Sequence, residues 1–440
     1  MKWIFLAFLM ALTPILALTL RKNPGYLPRA ALILGILPFL ESGFNVSASP
    51  ISWPTWPGMS KGIEVSLTDA VAIAILFATH RMKCPLALKV TFAVYVLGFI
   101  ISTLLSENRM PSFFYGWQVF RSVILFYAVA RASATDPKVP PALLTGLVIG
   151  LVTQGVLVSI EFAGGKLQSG GWFGHQNLLG MITHFVVYPA FALFLAGYRV
   201  KSTALAVLAA LLVAFAGASR ATIGLMAAGL VLTIVLSCYQ RMSGRKMAVG
   251  IAALIGLAAV SPLLYSAVER RSSATREGSS EERRRMMSAA SMIIADHPQG
   301  VGANRYVLTT NVGGFSGRAG IAWTSSAAPV HNTYYLVAAE MGWIGLLGLV
   351  SFLLAAIAKA FQAMRRARGT FLGEYATGLA VTFIMVAIHS YFEWIAMLYF
   401  VHILMAMSLG IVVVGARKPI AKPVKSRPVA THSEQMATAG

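Results

Sequence analysis

Residues 269–302 read ERRSSATREGSSEERRRMMSAASMIIADHPQGVG, and they open the only long polar interval, Glu269 to Asn332, in a chain that is otherwise apolar nearly throughout. Of 440 residues, 57% are hydrophobic and only 12% charged, which excludes a soluble globule with an ordinary charged surface. The apolar material falls into runs of about 17 to 22 residues between short polar breaks, the length of a membrane-spanning helix and unlike the alternation of a barrel strand. The fold class is therefore all-α: a polytopic integral membrane protein of about 12 or 13 transmembrane helices, with one large loop that contains an amphipathic helix.

The net charge of +21 would suggest a nucleic-acid partner in a soluble protein. Here Lys and Arg concentrate in the breaks between spans, where they set orientation, so no nucleic acid is expected. Cys84 and Cys238 both flank breaks read as cytoplasmic, which predicts neither a disulfide nor a metal framework. The basic breaks alternate with breaks poor in Lys and Arg, Arg109 and Lys166 being minor exceptions, and that parity puts the Ala218-Ser219-Arg220-Ala221 turn and the whole 265–332 interval on the outer face. The chain divides into N-terminal spans (1–264), the outer loop (265–332), C-terminal spans (333–414) and a disordered cytoplasmic tail (415–440). The spans include 66–80, 333–360, 374–389 and 394–414, and 41–65 reads as a Ser/Pro/Trp-rich loop.

Every basic residue between Tyr265 and Asn332 is arginine: Arg270, Arg271, Arg276, Arg283, Arg284 and Arg285 cluster first, and Arg305 and Arg318 come after them. Guanidinium groups bind phosphate oxygens in bidentate fashion and stay charged, so the set suits a phosphate or pyrophosphate ligand. A solvated helical face is the simpler alternative, since Glu281 and Glu282 can neutralise part of the cluster through i,i+4 pairs. Residues 279–295 have helical character, with Met286, Ala289, Ala290, Ile293 and Ile294 on one apolar face; Pro298, Gly300 and Gly302 then end the helix.

Five further places carry possible chemistry. Arg220 interrupts two apolar runs and can snorkel to the interface or point into a cavity. His331 stands where the loop re-enters the membrane, before Asn332, Thr333 and Tyr334, and a neutral imidazole can take a proton from a hydroxyl. His175, Gln176 and Asn177 end another outer loop, as helix caps or as ligands to sugar and phosphate. Arg121 lies inside a span, a functional candidate by position. His389 and Glu393 sit together in the last outer turn, where they form a candidate pair. No Walker A or HExxH pattern occurs, and the outer acidic residues form no DxD-like metal cluster, so no metal or cofactor is expected.

Taken together, Gly171-Trp172-Phe173-Gly174-His175-Gln176-Asn177, the Ser219-Arg220 turn, the arginine helix leading to Asp296-His297-Pro298-Gln299-Gly300-Val301-Gly302, and His331-Asn332-Thr333-Tyr334 with the later Glu340-Met341-Gly342-Trp343-Ile344-Gly345 resemble the O-antigen ligase and polymerase superfamily. The resemblance covers about Gly171 to Val350, and the joint order of the motifs carries it. It implies an inverting, metal-independent glycosyltransferase of the bacterial inner membrane, moving glycan from undecaprenyl pyrophosphate to lipid A-core on the periplasmic side. By position, it gives His331 to the catalytic centre and, as the other catalytic residues, Arg220 and a loop arginine, Arg283 with Arg284 as the close second, to the donor pyrophosphate. Arg284, His175, Gln176, Asn177, Asn332 and Tyr334 are the candidate substrate-binding residues within the resembling stretch, and Arg121 and His389, outside it, are substrate candidates by their place in the chain alone. Met287 and His175 depart from the family pattern. A polymerase joining repeat units and a protein O-oligosaccharyltransferase are the alternatives within the superfamily; a transporter or flippase of anionic lipid-linked sugars is the alternative outside it.

Overall fold

The structure is a computed structural model that describes residues 2–44, 46–274 and 278–417. Arg276 and the tail residues Lys418, Lys422, Lys425 and Arg427 lie outside the described residues. The first half holds α1 (Lys2–Lys22), α2 (Leu27–Gly43), α3 (Leu67–Ala78), α4 (Leu86–Leu105), α5 (Met110–Thr135), α6 (Val139–Ala163), α7 (Gln176–Leu195), α8 (Val200–Gly217) and α9 (Arg220–Gln240). The second half holds α10 (Gly244–Ala274), α11 (Gly278–Asp296), the short α12 (Tyr306–Val312) and α13 (Phe315–Ala319), and finally α14 (Thr333–Arg366), α15 (Phe371–Phe392) and α16 (Tyr399–Gly415). Ten of these helices are long and apolar enough to cross a membrane, and the chain is an all-α polytopic membrane protein, as the apolar runs imply. Cys84 and Cys238 are free thiols.

Two helices form the centre. The most apolar window of α7 is 94% buried and that of α15 72%, against 11% for α1 and α10 at the periphery. Small residues let the helices approach: a Cβ at Gly378 of α15 would lie 2.2 Å from the backbone of Pro189 on α7.

Three features differ from the expected layout. The 41–65 loop contains an antiparallel hairpin, β1 (Ser47–Ser52) with β2 (Gly62–Ser66), pinned by Trp117, whose indole donates to Glu64 O at 2.5 Å. The outer interval does not begin as a loop at 265, because α10 continues through Ala274. The expected span 333–360 is broken at Gly342, whose φ of 67° and ψ of −173° separate a short first segment from the long remainder of α14.

That break is matched to the Pro298–Gly302 turn. Val301 N donates to Ala339 O (3.0 Å), Gly302 N to Glu340 O (2.9 Å), and Trp343 N to Pro298 O (3.2 Å). The buried Glu340 carboxylate accepts from Asn304 N (2.8 Å) and Tyr306 N (2.9 Å), where it caps the start of α12. A Cβ on Gly342 would lie 2.5 Å from Pro298 O, besides holding a left-handed backbone. Gly342→Ala is expected to cost at least about 1–3 kcal/mol and to unclasp the loop, read as a lower melting temperature and faster proteolysis between α11 and α14.

Helix α11 keeps to the expected range and face. Met286, Ala289, Ala290 and Ile293 recur at i, i+3, i+4 and i+7 and are buried, packed with Tyr306, Val307 and Leu336. Tyr306 closes the contact by donating its hydroxyl to Met286 O at 3.1 Å.

Candidate active site

The N-terminal ends of α7, α9 and α14 and the C-terminal end of α15 meet at one end of the bundle, and Glu393 is where their side chains converge. This residue comes directly after α15 in an extended conformation, φ −144° and ψ 152°, which turns its side chain away from the helix face. Its carboxylate is 1% exposed. Oε2 accepts from His331 Nδ1 at 2.9 Å, and Oε1 accepts from Arg283 Nη2 at 2.9 Å and from Asn177 Nδ2 at 2.5 Å. The backbone is fixed as well, because Thr333 donates both N (3.2 Å) and Oγ1 (2.7 Å) to Glu393 O.

Burial pushes the Glu393 carboxyl up, but the hydrogen bond from His331 and the positive charge of Arg283 outweigh it and leave the group below its ordinary value of 4.5. A carboxyl depressed on folding adds stability that is fully present above its unfolded value and lost as pH falls through the lower folded value. Thermal melts should therefore show the Glu393 contribution constant above about pH 4.5 and vanishing below it; a Glu393→Gln variant should lack that acid limb.

Arg283 reaches the cluster because it continues the buried stripe of α11, three residues before Met286. Its Nη1 also donates to Phe392 O at 3.1 Å. Two of the five guanidinium N–H groups are thus engaged, which leaves three for another acceptor. Arg284, one position further round the helix, is exposed and paired with Glu281. Arg285 donates to Gly320 O at 3.0 Å. The structure thus brings Arg283 to the cluster and leaves Arg284 at the surface.

The Ser219-Arg220 turn adjoins this cluster through α7. Ala218 holds a left-handed φ of 45°, a strained setting for a residue with a Cβ, and Ser219 Oγ caps α9 by accepting from Thr222 N at 3.4 Å. Thr222 lies against the first turn of α7: a Cβ on Gly180 would fall 2.0 Å from its Oγ1. Gly180 is three residues from Asn177, so the turn carrying Arg220 flanks the segment that binds Glu393. Arg220 itself is exposed at the first position of α9.

The remaining expected residues fall into two groups. His175 is the N-cap of α7, its Nδ1 accepting from Asn177 N at 3.3 Å; Gln176 bonds Gln168 at 2.7 Å; Asn332 caps α14 through Oδ1 to Tyr334 N (2.9 Å) and Tyr335 N (3.2 Å); and Tyr334 donates to Ala387 O at 2.7 Å. All border the cluster. Arg121 does not join it: it is buried with Asp69 (2.8 Å), Ser66 (2.9 Å) and the hydroxyl of Tyr399 (2.8 Å), over whose ring it stacks. None of those partners is shared with His331 or Glu393. The expected pairing of His389 with Glu393 is not formed between side chains, because Glu393 leaves the helix and His389 turns to His184, Nδ1 to Nε2 at 3.1 Å.

Four buried polar atoms around this end have no partner among the described residues: Asn177 Oδ1, Asn332 Nδ2, Thr222 Oγ1 and His389 Nε2. Buried polar groups in folded proteins are paired as a rule, so a concentration of unpaired donors and acceptors marks a place built for a polar ligand. With an arginine, a histidine and amide groups converging on it, the arrangement can hold an anion, orient hydroxyls and move a proton.

Residues 204–350 match the family model described as O-Antigen ligase. The match bears out the resemblance to the O-antigen ligase and polymerase superfamily and supports a glycosyltransferase of that type. The matched segment contains Arg220, Arg283 and His331; Asn177, His389 and Glu393 lie outside it. No curated protein matches the chain.

Proposed function

We propose, from the O-antigen ligase domain in residues 204–350, that the chain transfers O-antigen glycan from undecaprenyl pyrophosphate to lipid A-core at the periplasmic face of the inner membrane. The observation that carries this reading is the Glu393 node, which unites a histidine from the loop's end, an arginine from the loop helix and an asparagine from an earlier loop.

The node also sets the tautomer. A carboxylate can only accept, so His331 donates Nδ1–H to Glu393 and turns a bare Nε2 away from it. His331 takes the proton of the acceptor hydroxyl on Nε2, and Glu393 stabilises the imidazolium that forms. The acceptor oxygen forms its bond to the anomeric carbon on the face opposite the leaving group. The bond from that carbon to the pyrophosphate oxygen breaks, its electron pair leaves with undecaprenyl pyrophosphate, and configuration inverts. Arg283 and Arg220 bind the departing pyrophosphate, whose charge rises in the transition state. With Nδ1 committed to Glu393, the base role fits His331 better than stabilisation of the leaving group.

Deletion of the gene and inspection of the lipopolysaccharide ladder tests the acceptor. The ligase reading expects loss of every ladder band with polymer retained on the lipid carrier; a single capped repeat on the core would identify a polymerase instead.

A further inference from the structure

The buried file Tyr188, His184 and His389 runs from the middle of α7 to the last turn of α15, and neither of its first two members belongs to the glycan-transfer reaction. Its hydrogen-bond directions are fixed from one end. Tyr188 Oη lies 2.8 Å from Leu225 O and 3.0 Å from His184 Nδ1. A carbonyl only accepts, so the single phenolic proton points to Leu225, and the contact to His184 is Nδ1–H donating to Oη. Tyr188 can lie this close to α9 because Gly229 has no Cβ; one there would be 2.4 Å from the ring.

His184 is fully buried and stacked on Tyr188 with an interplanar angle of 13°. A neutral imidazole has one N–H, and it is on Nδ1, so Nε2 is the acceptor. His389 Nδ1, 3.1 Å away, must then be the donor. His389 is in turn left with a bare Nε2, which is buried and without a partner among the described residues. A charged His389 would bury a second N–H with nothing to receive it, beside a carboxylate already accepting from three side chains. His389 also precedes Glu393 by one turn, its carbonyl accepting from Glu393 N at 3.1 Å, and its ring lies in the field of Glu393 and Arg283.

We propose that Tyr188 and His184 are positioning residues that fix the tautomer of His389, so that its Nε2 accepts a hydrogen bond from a substrate hydroxyl beside the Glu393 node. The hydroxyl belongs to the donor glycan or to the acceptor saccharide, which share this chemistry; this part rests on the glycan-transfer reading.

Nitrogen NMR of protein labelled with 15N-histidine tests the tautomer without any transfer assay, with His389→Gln identifying the resonances. His389 Nε2 is expected to be unprotonated in the wild type. In Tyr188→Phe the proton on His184 Nδ1 loses its acceptor, either direction of the file then leaves one N–H unreceived, and His389 Nε2 becomes protonated in part of the molecules. A protonated Nε2 in the wild type, or no change in Tyr188→Phe, overturns the proposal.

Transfer kinetics supply the second arm. His389→Gln can place an acceptor oxygen near the Nε2 position and should retain a KM within about threefold, whereas His389→Asn retains only the Nδ1 side and should raise one KM by up to about tenfold. A rise in the acceptor KM identifies the acceptor hydroxyl, and a rise in the donor KM the glycan. Equal behaviour of the two variants overturns the hydroxyl-binding role. If wild-type protein transfers no glycan while the nitrogen signals behave as expected, the transfer reading fails and the tautomer assignment stands.

Discussion

Replacing His331 with alanine is expected to lower glycan transfer by about 10²–10⁴-fold, the range that loss of a positioned general base produces. The substitution removes the imidazole and leaves its surroundings largely held: Glu393 keeps Arg283 and Asn177, and Thr333 still ties the Glu393 carbonyl to the start of α14. The bundle should therefore remain folded, so that the loss reads as chemistry. Single-turnover transfer in proteoliposomes, with a lipid-linked donor and a saccharide acceptor both saturating, isolates the step. An unchanged binding of donor alongside the slower turnover would agree with a base that meets the acceptor and not the pyrophosphate.

Arg283→Ala is the second large effect, expected at about 10²–10³-fold, or about 2.7–4 kcal/mol of barrier, for removal of a fixed group facing developing charge. Arg283→Lys should recover only part of it, because a single ammonium cannot hold Glu393, Phe392 O and a phosphate at once as the forked guanidinium can. Arg284→Ala provides the contrast. Its partner Glu281 is at the surface, where ion pairs contribute little, and transfer should stay within about twofold of wild type. Equal losses for the two arginines would mean that the cluster acts as a diffuse positive field and that the Glu393 contact has no special role.

Many of these features are legible in the sequence because they are local. Apolar run length marks the spans, and the 3.6-residue stripe of Met286, Ala289, Ala290 and Ile293 marks α11 and its buried face. The same stripe, carried back one turn, selects Arg283 over Arg284, a signal that the sequence itself carries. The tight glycines of 300–302 and 342 are visible as motifs, but their mutual fit is not, since nothing in either stretch states that each needs the other's missing Cβ.

The partnership of distant residues is not legible in this way. Glu393 is one acid in a short turn, separated by 62 residues from His331, 110 from Arg283 and 216 from Asn177, and no local period connects them. Arg121 illustrates the converse. A buried charge inside a span draws a functional reading, yet Asp69 in another span is available to neutralise it, and the structure pairs the two. Two opposite intramembrane charges in neighbouring spans are better weighed as a pair before either is given to a substrate. His184 gives no signal for a similar reason, as one histidine in an unbroken apolar run.

The most direct test of the central claim is transfer by purified protein from undecaprenyl-pyrophosphate-linked glycan to lipid A-core, run with chelator present and compared with His331→Ala. The wild type is expected to form the product in chelator, and the variant to fall by at least about 10²-fold. Transfer by His331→Ala at the wild-type rate, or wild-type transfer abolished by the chelator, would contradict a metal-independent transferase with His331 as its base.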